Sequence, residues 1–205
     1  MKYLIFSDLH SFDESKLQLV KTDFDVLVFL GDIRSITLIK ILQAFSMKPA
    51  VGVLGNHDTK YLFSTVNTLV KNYRKLGIGL SEIENLNGVV MNFGKDSVTG
   101  FEGAPGDDDS DLILTQDTAS SRLIPAADIL FSHETGYHYF DRRDTMHEGF
   151  HTISNYIINS KPKYHIFGHH HQNVEFQVEE TKCFCVYGCS VFDSESGVIQ
   201  NFFEE

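Results

Sequence analysis

Five short apolar runs constrain any fold of this chain: KYLIFS (2–7), DVLVFL (25–30), AVGVL (50–54), DILFS (128–132) and YHIFG (164–168). None shows the sustained apolar–polar alternation of a strand with one wet face. Such runs read as strands buried on both sides. A sheet built from them needs cover above and below, which an α/β layered domain supplies.

Helical patterns fall between the first runs. The spacing predicts a short helix over 13–21 with Leu17 and Val20 on one face, and a second over 36–46 that Pro49 ends. A longer one over 60–76 carries Leu62, Val66, Leu69, Val70 and Tyr73 on one side, with Gly77 as its C-cap. From residue 87 the pattern turns to strand–turn–strand, GVVMNFG and then SVTGFEG. The stretch APGDDDSD (104–111) reads as a solvated loop, because its aspartates lack the glycine and terminal glutamate of an EF-hand loop. A helix is expected over 148–160 and three short antiparallel strands over 173–203. With 205 residues and no repeat or linker, one domain spanning 1–205 is expected.

Metal-binding side chains follow the apolar runs. Asp8 and His10, at spacing i, i+2 after the first run, share one face of an extended backbone. Gly31-Asp32 follows the second, and parallel sheets gather ligand sites beyond the carboxyl ends of their strands. Carboxylates brought together there repel unless protonated or metallated. Gly55-Asn56-His57-Asp58 follows the third run. Asn56 offers a carbonyl oxygen, His57 can serve as an acid, and Asp58 can orient the His57 imidazole and raise its pKa. His133 ends the fourth run; Gly168-His169-His170-His171 ends the fifth, with His169 and His171 on one face. Singly, each motif also fits a plain reading, as a helix cap, a turn or a solvent-facing histidine. The ordered set does not.

Asp-x-His, Gly-Asp, Gly-Asn-His-Asp, His and Gly-His-x-His, in this order over about residues 2–190, resemble the calcineurin-like metallophosphoesterase superfamily. The segment from Gly149 through KPKYHIFGHHH also resembles the last helix–strand unit of its small single-domain phosphodiesterases. The resemblance implies a four-layer α-β-β-α sandwich of two mixed sheets flanked by helices. It implies one metal held by Asp8, His10, Asp32 and His171, and a second held by Asp32, Asn56, His133 and His169, with Asp32 bridging. His57 would sit over the phosphate, and Asp58 would orient it. The nitrogen and oxygen donor set suits Mn²⁺, with Fe or Zn²⁺ as alternatives. The expected activity is hydrolysis of a phosphoester, a phosphodiester before a monoester, by in-line attack of a hydroxide bridging two divalent ions. Arg34, soon after Gly-Asp, is a candidate substrate contact beside Asn56 and His57; pairing with a surface acid fits it equally. His170 is expected to face solvent or a substrate group. Tyr137, Tyr139, Phe140, Arg142 and Arg143 are candidates for a pocket around a base or aryl group, or for plain packing. Substrate choice is expected in loops 104–127 and 134–148.

Composition narrows the partners. A net charge of −11 disfavours tight, sequence-independent binding to nucleic acid. The expected partner is a small phosphoester. No apolar stretch approaches the ~20 residues that span a bilayer, and the N-terminal run reads as a strand and not a signal peptide, so no membrane partner and a cytoplasmic location are expected. Cys183, Cys185 and Cys189 are an odd, clustered set, read as reduced thiols in a strand and not as a disulfide framework or zinc site. Two other readings share the motifs. A DNA nuclease of the same superfamily would need a cap domain and a basic surface. A non-catalytic scaffold, like the phosphoesterase-like retromer subunit, would lack ligands or a counterpart of His57.

Overall fold

The computed structural model describes residues 1–140 and 144–204. The first sheet contains β1 (Lys2–Ser7), β2 (Val26–Phe29), β3 (Ala50–Gly52) and β4 (Ile83–Asn85), all mutually parallel. The second contains β5 (Met91–Phe93), β6 (Asp96–Phe101), β9 (Ile129–Ser132) and β10 (Tyr164–Phe167). Between them in sequence, β7 (Ala104–Pro105) and β8 (Ile113–Leu114) form a small parallel pair. The chain then adds β11 (Val174–Val178) and β12 (Thr181–Cys185) to the second sheet. It returns to the first with β13 (Gly188–Asp193) and β14 (Val198–Phe203). The strand orders are β14-β13-β1-β2-β3-β4 and β11-β12-β10-β9-β6-β5, and both sheets mix parallel with antiparallel neighbours.

The apolar runs bury both faces, as their lack of alternation requires. On β1, Tyr3 and Ile5 face the second sheet with Val26 and Val28 of β2, meeting Ile129, Phe131 and Ile166. Leu4, Phe6, Leu27 and Phe29 point the other way, against α1 (Ser35–Ala44) and α2 (Leu62–Lys75). On the far side, Phe101 and Leu130 pack under α3 (Gln116–Ser120) and α4 (His151–Ser160) through Ala119, Ile153 and Ile157. The result is the four-layer α-β-β-α sandwich.

Several local expectations change. Residues Glu14–Leu19 form a 3-10 helix whose Asp13 cap accepts a hydrogen bond from the Ser15 amide. α4 starts at His151, three residues later than expected, after Gly149 turns with φ +79°. The tail is four strands and not three; β12 pairs parallel with β10, and the two tail hairpins join different sheets. The three cysteines are buried and unpaired, and burial pushes the Cys183 thiol up to about 12. No helix among the described residues is long and apolar enough to cross a membrane.

Candidate metal centre

The ends of β1, β2 and β3 point the same way because these strands are parallel, and so do the ends of β9 and β10. The turns leaving them interlock. The Asp8 amide donates to the Gly31 carbonyl at 3.1 Å, and the Gly168 amide donates to the His133 carbonyl at 3.0 Å. From these turns two donor groups assemble, Asp8 with His10 and His171, and Asp32 with His133 and His169. Within each, the ligand atoms lie within 4.8 Å of one another. Asp32 Oδ2 lies 3.5 Å from His133 Nε2 and 3.9 Å from His10 Nε2, so it stands between the groups. Asn56 Oδ1 joins the second group, 3.0 Å from His133 Nε2.

Glycines make the convergence possible. A Cβ on Gly55 would stand 2.2 Å from Asp32 Oδ1, and one on Gly168 would stand 2.5 Å from Asp8 Oδ2. The ligands also bend the backbone. Asp8, Asp32, His169 and His171 all adopt positive φ, between 51° and 64°. L-residues pay about 1 kcal/mol or more for that conformation, and it clusters at functional sites.

Three features fit these residues to cations. Asp8 is fully buried, and its Oδ2 accepts from Ser7 Oγ at 2.6 Å and from the His169 amide at 2.9 Å. Its Oδ1 has no hydrogen-bond partner and faces His171 Nε2 at 3.5 Å. A buried carboxylate oxygen without a partner is costly unless a cation meets it. Second, His133 Nδ1 lies 2.7 Å from the Leu30 carbonyl, so Nδ1 carries the proton in the neutral ring. That leaves the Nε2 lone pair facing Asn56 Oδ1, two acceptors at 3.0 Å that need a proton or a metal between them. Third, burial alone would lower the His133 pKa, yet Asp32 and Asp8 push it up to about 10. The site draws positive charge.

His169 is oriented from behind. Its Nε2 donates to the Met146 carbonyl at 2.8 Å, leaving Nδ1 as the donor atom, and burial holds its pKa down near 4, the neutral form a metal requires. Behind it lies Glu134, fully buried, with Oε2 at 3.5 Å from His169 Nε2 and Oε1 at 2.6 Å from His170 Nε2. Glu134 was not anticipated; its one signal in the sequence was an acid directly after His133. His170 therefore does not face solvent or substrate. It is buried against Glu134 and stacked on Phe140, with ring centroids 4.4 Å apart.

His57 is exposed at the rim, edge-on to His10 at 5.4 Å, and its amide donates to Asp32 Oδ1 at 2.9 Å. Asp58 does not orient it. The Asp58 carboxylate accepts from the amides of Asp32 and Gly55, both at 2.9 Å, and of Ile33 at 3.2 Å. Backbone amides of two neighbouring turns claim both its oxygens, so Asp58 ties the Asp32 turn to the Asn56 turn. Tyr139 and Phe140 pack on Phe176, and Tyr137 lies against His151 with the rings tilted, so these rings serve packing. Arg142 and Arg143 lie outside the described residues. The open space beside the centre is instead a cleft of about 600 Å³ that His10 and His57 border and that residues 33–36 line with Thr59, Leu62 and Thr65, Arg34 among them. The aspartates of 107–111 stay at the surface, where Asp109 accepts from the Thr115 amide and Asp111 pairs with Lys60.

The model of the calcineurin-like phosphoesterase superfamily domain matches residues 1–196. Among solved structures, the protein TT1561 of Thermus thermophilus is similar at a TM-score of 0.68 and 14% identity, covering 97% of this chain and 96% of that one. The phosphopantetheinyl hydrolase of Mycobacterium tuberculosis is similar at 0.60 and 11%, covering 90% and 89%. An archaeal phosphodiesterase is similar at 0.56 and 13%, covering 98% of each chain. At these identities the likeness is one of fold. No curated protein matches the chain in sequence.

Proposed function

The chain belongs to the calcineurin-like phosphoesterase superfamily and is by that membership a phosphoric-ester hydrolase, and on this premise we propose that it cleaves a phosphodiester with two divalent cations bound. Asp8, His10, Asp32 and His171 would hold one ion; Asp32, Asn56, His133 and His169 would hold the other. The observation that carries the reading is the buried Asp8 Oδ1, which has no hydrogen-bond partner and only His171 Nε2 near it at 3.5 Å, beside a second donor group that Asp32 shares. Such ions, when bound, lower the pKa of water and neutralise phosphoryl charge. Mn²⁺ is the first candidate for a mixed nitrogen and oxygen donor set without thiolate.

The protein's own groups divide the remaining work. Leu30 and Met146 carbonyls fix the tautomers of His133 and His169. Asp58 locks the turn that carries Asp32. His57 would give a proton to the departing alkoxide oxygen, a role that its exposure at the rim next to His10 supports. The adjoining cleft has room for the organic arm of a phosphoester. The shared fold with an archaeal phosphodiesterase supports a diester. Three buried, unpaired cysteines support a reducing compartment such as the cytoplasm. The excess of 11 acidic charges supports a small substrate over a nucleic-acid polymer.

The test is turnover by the Mn²⁺-loaded protein of bis-p-nitrophenyl phosphate and p-nitrophenyl phosphate. Hydrolysis of both, faster for the diester, is expected. Turnover of neither with metal bound would refute the reading.

A further inference from the structure

We propose that the cleft between the N-terminal ends of α1 and α2 holds the organic arm of the substrate and that Arg34 reads a second phosphate on that arm, away from the bond that is cut. The inference rests on the phosphoesterase reading and names its substrate class, a phosphoester whose organic arm carries a further phosphate.

Size comes first. The cleft measures about 600 Å³, within the range of sites for whole small molecules and far more than one phosphoryl group needs. It begins at His10, Asp32 and His57, so a phosphoester at the centre has this space beside it. The walls suit an arm with apolar and hydroxyl-bearing parts. Ile33 and Leu62 are nearly buried, while Ile36 presents an apolar surface that is 57% exposed. The hydroxyls of Thr59 and Thr65 also line the cleft, and neither has a side-chain partner among the described residues.

Charge then points to an anion. Among the described residues, Arg74 pairs with Glu82 and Arg122 with Glu102, whereas Arg34 has no carboxylate partner. Among the described residues it is also the one lysine or arginine that lines the cleft. Asp58, which also lines the cleft, accepts three backbone amides instead of pairing with Arg34. Arg34 therefore stands in the cleft with its guanidinium uncommitted, and the planar fork of arginine matches a phosphate with paired hydrogen bonds. Asp8, Asp32 and the histidines already supply the centre that takes the scissile phosphoryl group, which leaves Arg34 for a different anion.

Binding separates this inference from the reading beneath it. Isothermal titration compares thymidine 5′-phosphate with thymidine 3′,5′-bisphosphate, on Mn²⁺-loaded wild-type protein and on Arg34→Ala. About tenfold tighter binding of the bisphosphate to the wild type is expected, with that preference lost in Arg34→Ala, since a charge-assisted bond to phosphate is worth about that factor or more. Equal affinities in the wild type, no binding of the bisphosphate, or a preference that survives Arg34→Ala would each overturn the inference. A preference removed by Arg34→Ala in a protein that turns over neither p-nitrophenyl ester would uphold the cleft's selectivity and sink the hydrolase reading instead.

Discussion

Replacing Gly55 by alanine should dismantle both metal sites while leaving the sheets intact. The new Cβ would lie 2.2 Å from Asp32 Oδ1, 2.8 Å from Asp32 Cγ and 2.6 Å from His133 Cε1. Ordinary contact begins near 3.4 Å, so the carboxylate must retreat by about 1 Å. Asp32 is only 3% exposed and already accepts the His57 amide at 2.9 Å, so little room exists for that retreat. Overpacking of this kind costs about 1–3 kcal/mol of stability. A displacement near 1 Å costs about 10²-fold in rate. Because Asp32 stands between the donor groups, Gly55→Ala should lose both ions. Gly168→Ala supplies the contrast. Its Cβ would press on Ser7 Oγ at 2.0 Å and Asp8 Oδ2 at 2.5 Å, so only the Asp8 group should fail. Metal content after equilibrium dialysis, measured by mass spectrometry beside a thermal melt, distinguishes the two variants. A folded Gly55→Ala protein holding two ions at wild-type affinity would refute the argument that this glycine exists to admit Asp32.

Three further outcomes are expected. His57→Ala should lower kcat by about 10²–10⁴ and leave metal content unchanged, checked by the same dialysis; loss of an ion would make His57 a ligand. Glu134→Gln should weaken one of two ions by about 10–100-fold in dialysis, because the charge behind His169 is removed, while the other ion keeps its affinity. Asp128 accepts Ser97 Oγ at 2.6 Å and the Ser97 amide at 3.0 Å, and pairs with Lys163 at 2.9 Å, which together hold its pKa near 2 against an ordinary 3.8. A depressed folded pKa gives stability that is full above pH 4 and lost as pH falls towards 2. Urea unfolding of the wild type and Asp128→Asn should therefore converge by about 1 kcal/mol between pH 6 and pH 2, after allowing for solvent screening.

The parallel strands were legible because burial on two faces leaves a mark in sequence, and β1, β2, β9 and β10 carry it without interruption. β4 left no such mark. It is three residues long, and Glu84 and Asn85 are exposed at the sheet edge. The tail was misread because antiparallel hairpins look alike whichever sheet they join. Only long-range pairing, β12 with β10 and β13 with β1, assigns them. The donor residues were legible as motifs at strand ends, and the structure brings them together. What lies one step behind was not. Glu134, the Met146 carbonyl and the Leu30 carbonyl act through distant partners, and a backbone carbonyl has no residue type to recognise. Asp58 shows the converse error, since adjacency to His57 suggested a side-chain pair where backbone amides of another turn take the carboxylate.

Anomalous diffraction from a crystal soaked in Mn²⁺ addresses the shared position of Asp32 most directly. Two peaks about 3.5–4 Å apart are expected, with Asp32 touching both, Asp8 on one side and Asn56 on the other. A single peak, or two peaks with Asp32 bound to neither or only one, would contradict the account.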